Sequence, residues 1–278
     1  MSLVQEFHQV IRRIRETVDV PAIEEVLLPL QGRAEVKQDE FGFLILTDGS
    51  IGPFYTSLDG SLPLLRDFVS MGTYRQKDPI ELALNMGDGG LATNTLALGA
   101  VNAISQCLMR LAGFDPTTVT IESALSAPTG SIGMVGYFGP LIERYLDRGY
   151  RITLVEKKPG RVPAGLNIDV TTDPAALKGC GYIICTASTL INNTLEEILD
   201  SVSPGSIVNL MGPSASCLPD PLFARGVGLV GGILIDDPDC LRRAVKCGDS
   251  WGRCGRKYQL SAACYPGLES LLAGIERQ

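Results

Sequence analysis

The feature that most limits what this chain can fold into is a change of rhythm near residue 123. Beyond it, five short apolar segments read as strands: Ser131–Val135, Ile152–Val155, Tyr182–Thr186, Ser206–Leu210 and Gly228–Ile235. Helical stretches alternate with them, at Pro140–Arg148, Pro174–Lys178, Thr194–Ser201 and Asp239–Lys246. Apolar strands separated by helices imply a parallel sheet with crossover helices on its faces. The run Ser126-Ala127-Pro128-Thr129-Gly130 has the composition of a linker, so residues 1–122 and 123–278 are expected to form separate domains.

The first domain has a different pattern. Val4, Phe7, Ile11, Ile14 and Val18 give an opening helix one apolar stripe. Short β-like segments follow at Ala34–Lys37, Phe41–Thr47 and Ile51–Thr56, the last two flanking the turn signal Asp48-Gly49-Ser50 and so predicting a hairpin. Helices are expected from Pro79 to about Asn85 and from Leu91 to Leu111, ending before Gly113. This half is α+β.

Composition removes several function classes. The 278 residues carry 24 basic and 31 acidic side chains, a net charge of −7, which leaves no broad basic face for nucleic acid or an anionic membrane. No apolar run is long enough to span a bilayer, and the N-terminus lacks a signal-peptide core. A cytoplasmic protein is expected, its eight cysteines held as thiols.

Chemistry is expected where the parallel strands end, because ligands of open α/β sheets sit outside their carboxyl ends. The first strand runs through Gly133 to Gly136, a strand-to-helix turn where small residues let backbone approach a ligand. The spacing is G-x-x-G-x-x-G rather than the dinucleotide fingerprint. Glu156 ends the second strand, 20 residues after Gly136, where such sites keep an acid for ribose hydroxyls. Further ends carry Thr186, Thr189, Asn192 and Asn193, then Gly212, Pro213 and Ser214, then Asp236 and Asp237. Helix capping is the competing use of these residues, and Thr194 ahead of Glu196 and Glu197 fits it.

Other chemistries find little support. The only histidine, His8, lies beside the apolar stripe of the first helix. Cys240 and Cys247, two helical turns or about 10 Å apart, cannot easily share an ion whose bonds to sulfur are about 2.3 Å. Cys247 and Cys254 could, while Cys180 and Cys185 read as core. There is no G-x-S-x-G elbow and no Walker A motif.

The motifs Ile132-Gly133-Met134-Val135-Gly136-Tyr137-Phe138-Gly139, Thr186 to Thr194, Met211-Gly212-Pro213-Ser214 and Leu222 to Val227, followed by Gly231-Gly232, occur in an order that resembles the bacterial and archaeal heavy-metal chelation family. Ala100 to Ile104 is similar to that family's Asn-Ala helix. The resemblance implies a Rossmann-like C-terminal domain after a smaller domain like the N-terminal domain of enolase. It also implies a site in the cleft between them, with Asn102 reaching it from the first domain. The expected ligand is a small molecule, a metal ion or a metal chelate. A nucleotide-type cofactor, NAD or S-adenosylmethionine, is the alternative. Whether the chain is an enzyme or a binding module, and whether the first helix pairs two subunits as a homodimer, stays open.

Overall fold

The computed structural model describes residues 1–30, 40–72, 74–120 and 130–275; the expected strand Ala34–Lys37 and residues 126–129 of the expected linker lie outside them. Helix α1 (Leu3–Thr17) begins at a capping box made by Ser2 and Gln5. It buries Leu3, Phe7, Ile11 and Ile14, so Leu3 rather than Val4 starts its stripe. The small sheet is an antiparallel meander of β1 (Ile23–Leu27), β2 (Phe41–Leu46) and β3 (Ile51–Tyr55). The expected hairpin is there: Phe41 pairs with Tyr55 and Ile45 with Ile51, while Asp48 accepts the Ser50 N–H in the turn. β1 was not expected, because its acidic centre, Glu24-Glu25, hides any alternation of apolar residues.

Helices α2 (Leu62–Met71), α3 (Pro79–Ala83) and α4 (Leu91–Leu111) follow, α2 unforeseen. α4, about 30 Å long, is buried over nearly its whole length and packs on β3. A Cβ at Gly52 would fall 1.9 Å from the Gly99 carbonyl, so glycine is what lets strand and helix approach so closely.

The large sheet combines β4 (Ile132–Val135), β5 (Ile152–Val155), β6 (Asp169–Thr171), β7 (Tyr182–Thr186), β8 (Ile207–Met211), β9 (Leu229–Ile235) and β10 (Gly255–Leu260). Their order is β10-β9-β8-β7-β4-β5-β6, parallel except for the antiparallel edge strand β10. The chain builds outward through β5 and β6, returns to the other side of β4, and continues through β7, β8 and β9. Direction therefore reverses between β4 and β7. The five expected strands all form; β6 and β10, short or polar, were not foreseen. The helices are α5 (Gly139–Leu146), α6 (Ser188–Ile191), α7 (Leu195–Ser201), α8 (Asp220–Ala224), α9 (Pro238–Cys247) and α10 (Leu268–Ile275). Pro174–Gly179 forms a 3-10 helix where an α-helix was expected.

The two halves share one core. A single apolar cluster runs from α1 and α4 into Leu190, Leu210, Leu222 and Val230 of the second half. The small sheet is buried on both faces: Leu44 and Phe54 belong to that cluster, while Phe43, Ile45 and Ile51 pack with Ile233, Leu241 and Trp251. No helix among the described residues is long and apolar enough to cross a membrane.

Candidate functional site

The polar residues of α4 decide which part of the rim is open. Asn94, Asn102, Ser105 and Gln106 fall within one arc of about 120° on this helix, at 100° per residue. Each bridges the two halves through backbone groups. The Asn94 carboxamide accepts the Gly87 N–H at 2.9 Å and donates to the Ile191 carbonyl at 3.0 Å. Asn102, fully buried, donates to the carbonyls of Pro53 (2.7 Å) and Ser214 (3.1 Å). The Ser105 hydroxyl accepts the Leu218 N–H at 3.0 Å, and Gln106 accepts from Ile51 N–H (2.6 Å) while donating to the Ile235 carbonyl (2.8 Å). The partners from the second half lie just after β7 and β8 and at the end of β9. Such groups must be paired when buried, and here α4 pairs them.

Two expected site residues therefore lie inside this seam. Ser214 is buried, its hydroxyl accepting the Tyr55 N–H at 2.9 Å. Asn102 is equally enclosed, its Oδ1 having no partner among the described residues. Thr189 is buried and donates to the Thr186 carbonyl at 2.7 Å, which closes its own turn. Gly133 is internal to β4, where an added Cβ would meet Leu177 at 2.7 Å; close packing explains it.

Of the remaining rim residues, Gly136, Thr186, Gly212 and Pro213 are half-buried and lie near the point where direction reverses, while Asn193, Asp236 and Asp237 are exposed. Gly136 ends β4 with φ +87°, and its missing Cβ would lie 2.9 Å from the Thr186 methyl. Gly212 follows β8 with φ +127°, leading into Pro213. Both conformations suit glycine. Between them the hydroxyls of Thr186 and Ser188 stand 3.1 Å apart, and α5 begins just beyond Gly136. Asn192 accepts from the Thr194 hydroxyl at 2.6 Å. Its neighbour Asn193 lines a different hollow, a surface groove of about 760 Å³ shared with His8, Arg12 and Glu196.

Glu156 ends β5, but its carboxylate accepts the Lys158 N–H at 2.9 Å and so caps its own loop. That loop reaches the first half at two points. Lys158 pairs with Asp59 at 2.9 Å, both side chains about half exposed. Arg161 and Glu40 are the charged neighbours of the Tyr55 phenol, whose pKa burial and Glu40 push up to about 12 against the effect of Arg161. Sequence reasoning missed Tyr55, Lys158 and Arg161, which carry no motif. It missed Asn94, Ser105 and Gln106 as well, although polar residues within one arc of a mostly apolar helix are a legible sign of a buried seam.

The protein's own donors do not assemble a site for a resident metal among the described residues. All eight cysteines and the one histidine lie among the described residues. Cys107, Cys185 and Cys217 are buried, which pushes each thiol up to about 12 and disfavours the thiolate a metal needs. Cys180 is buried too. Cys240 and Cys254 form a disulfide, which overturns both the expectation of thiols for these two and the pairing of Cys247 with Cys254. Asp236 holds Arg256 through two bonds of 2.8 and 2.9 Å, and Asp237 caps α9. Among the described residues no three His, Cys, Asp or Glu gather as a ligand set. These residues do not fit a protein-bound soft metal ion, which calls for thiolate or imidazole.

Known proteins place the chain more closely. It is 24% identical over 164 residues to an uncharacterized protein of Methanocaldococcus jannaschii, a match covering 58% of this chain and 62% of that one. The fold is similar to a solved structure of unknown function from the DUF364 family of Pyrococcus horikoshii, at 17% identity and TM-score 0.69, covering 92% of this chain and 99% of that one. It is also similar to a DUF364 structure of unknown function from Desulfitobacterium hafniense, at 17% identity and TM-score 0.68, covering 93% and 98%. The model of one family, described as "Putative heavy-metal chelation", matches residues 120–264. The chain belongs to that family, DUF364.

Proposed function

We propose that this chain binds a small organic ligand, or a metal already held in such a ligand, at the switch point between β4 and β7, and serves heavy-metal chelation or metal homeostasis. The observation that carries the reading is the reversal of strand order beside Gly136 and Gly212. Numbered within the second half, the parallel strands run 3-2-1-4-5-6, the order of Rossmann-like domains, whose ligands sit at that reversal. The hydroxyls of Thr186 and Ser188 would orient the ligand, and Gly136, Gly212 and Pro213 would let it approach the backbone. On this reading the first domain, residues 1–122, supplies the other wall through Tyr55 and Asp59, which meet the loop after β5. The metal in the family's description then arrives as cargo within a chelate, because the protein's own donors do not fit it.

Native mass spectrometry on protein purified without chelators tests this. The expected adduct is an organic molecule or a metal–organic chelate, lost when Thr186→Val and Gly136→Ala are introduced. A bare metal ion on the polypeptide would contradict the reading.

The strand order equally favours a second reading, an adenosine-containing cofactor such as NAD or S-adenosylmethionine. An adenosine ligand at a hundredfold excess over its Kd should then stabilise the fold by about 2.7 kcal/mol. No shift with any of them would dismiss it.

A further inference from the structure

Beside the β9 end of the rim, a disulfide and a ladder of aromatic rings form one continuous structure. Cys240 sits in the first turn of α9, and Cys254 ends the turn Gly252–Cys254; their Cα atoms are 5.6 Å apart. The loop they close carries Trp251, the only tryptophan of the chain. Its ring is buried and meets Phe43 at 5.0 Å and Phe41 at 5.6 Å, both edge-on. Phe41 in turn meets Tyr55 at 5.5 Å. Tyr55 is the residue pinned by Ser214 through its backbone and flanked by Glu40 and Arg161 at its phenol. Rings thus run from the disulfide, across the junction of the two halves, to the side chain that faces the loop after β5.

The backbone around Cys254 adds to the coupling. Its carbonyl accepts the N–H groups of both Asp236 and Asp237, at 3.1 and 3.3 Å, where β9 passes into α9. Movement of this turn therefore disturbs the end of β9 and the seat of Trp251 together.

We propose that Cys240–Cys254 is a redox switch that sets Trp251 and, through Phe41, the position of Tyr55. A dithiol reductant supplies two electrons and two protons. The sulfur–sulfur bond breaks, Cys240 and Cys254 become thiols, and the reductant closes its own disulfide. The loop, closed across a sequence separation of 14, is released, and Trp251 loses the constraint that presses it on β2. Cys247, seven residues along the helix from Cys240 and so about 10 Å away, takes no part. The proposal does not depend on which ligand the rim binds, since its readouts lie in the protein.

The test begins with thiols counted in denaturant: six are expected in air-purified protein and eight after dithiothreitol. Reduction should shift the emission of Trp251 to the red and lower the thermal midpoint by roughly 5–10 °C. It should also speed amide exchange across Phe41–Tyr55 by about tenfold. Cys240→Ser should reproduce the reduced spectrum and ignore dithiothreitol, and Cys247→Ser should keep the full response. Should Cys240→Ser fail to fold, reduction of the unmodified protein gives the same readouts. Eight thiols before reduction would overturn the proposal. So would unchanged emission and exchange after the count has risen from six to eight.

Discussion

At Ile191, Ser214, Leu218 and Ile235 the rim of the large sheet is taken up by α4, whereas around Gly136, Thr186, Ser188 and Gly212 it stays half-buried among the described residues. Both stretches are rich in hydroxyls, amides and glycine, and sequence alone does not separate them. What differs is the partner. Asn94, Asn102, Ser105 and Gln106 take up backbone groups of the covered stretch at 2.8–3.1 Å, so its polarity serves cohesion. The other stretch keeps two left-handed glycines, paired hydroxyls and half-buried surface. A polar rim is thus a candidate site only where no other element of the chain already satisfies it.

The comparison breaks most readily at Asn102. Asn102→Ala leaves two buried carbonyls without a donor and should cost about 2–4 kcal/mol, read as a lower denaturant midpoint at unchanged slope. A loss below about 1 kcal/mol would mean that the seam does not hold the halves together. Gln106→Ala removes partners of the Ile51 N–H and the Ile235 carbonyl and is expected to cost about 1–3 kcal/mol by the same assay. On the open stretch, Gly136→Ala forces a side chain into positive φ beside Thr186 and should cost only about 1–2 kcal/mol. A larger loss there than at Asn102 would invert the comparison.

The smallest effect concerns acid. Burial works to raise the pKa of Asp48, but hydrogen bonds from the Ser50 N–H and hydroxyl and from Arg110 outweigh it and hold the carboxyl below its ordinary value. A depressed carboxyl stabilises the fold above its unfolded pKa of about 3.9 and loses that contribution as pH falls through the folded value. Asp48→Asn should therefore lower the thermal midpoint near neutrality and flatten its fall below about pH 4, so that the two proteins converge in acid. An unaltered acid limb would show that the hairpin turn contributes nothing there.

Much of the fold was legible because its signals are local. The glycine turn, the apolar strands and the Asp48-Gly49-Ser50 hairpin each carry their pattern within a few residues. β1, β6 and β10 were not legible, since acidic or charged residues interrupt their periodicity and pairing alone makes them strands. The site was legible only as a rim. Gly136, Glu156, Thr186, Gly212 and Pro213 lie at the strand ends as expected, but Ser214 and Asn102 face each other across a packed junction. That fact depends on how α4 docks, and no spacing within either half records it. The disulfide was hidden for the same reason: the closeness of Cys240 and Cys254 is set by the turn at Trp251.

The most direct measurement compares Thr186→Val with Ser214→Ala in their retention of the adduct seen by native mass spectrometry. The account predicts that Thr186→Val loses the adduct while its thermal midpoint stays within about 2 °C. Ser214→Ala should lower the midpoint and keep the adduct. Loss of the adduct in Ser214→Ala at an unchanged midpoint, with retention in Thr186→Val, would contradict it and return the site to the covered stretch.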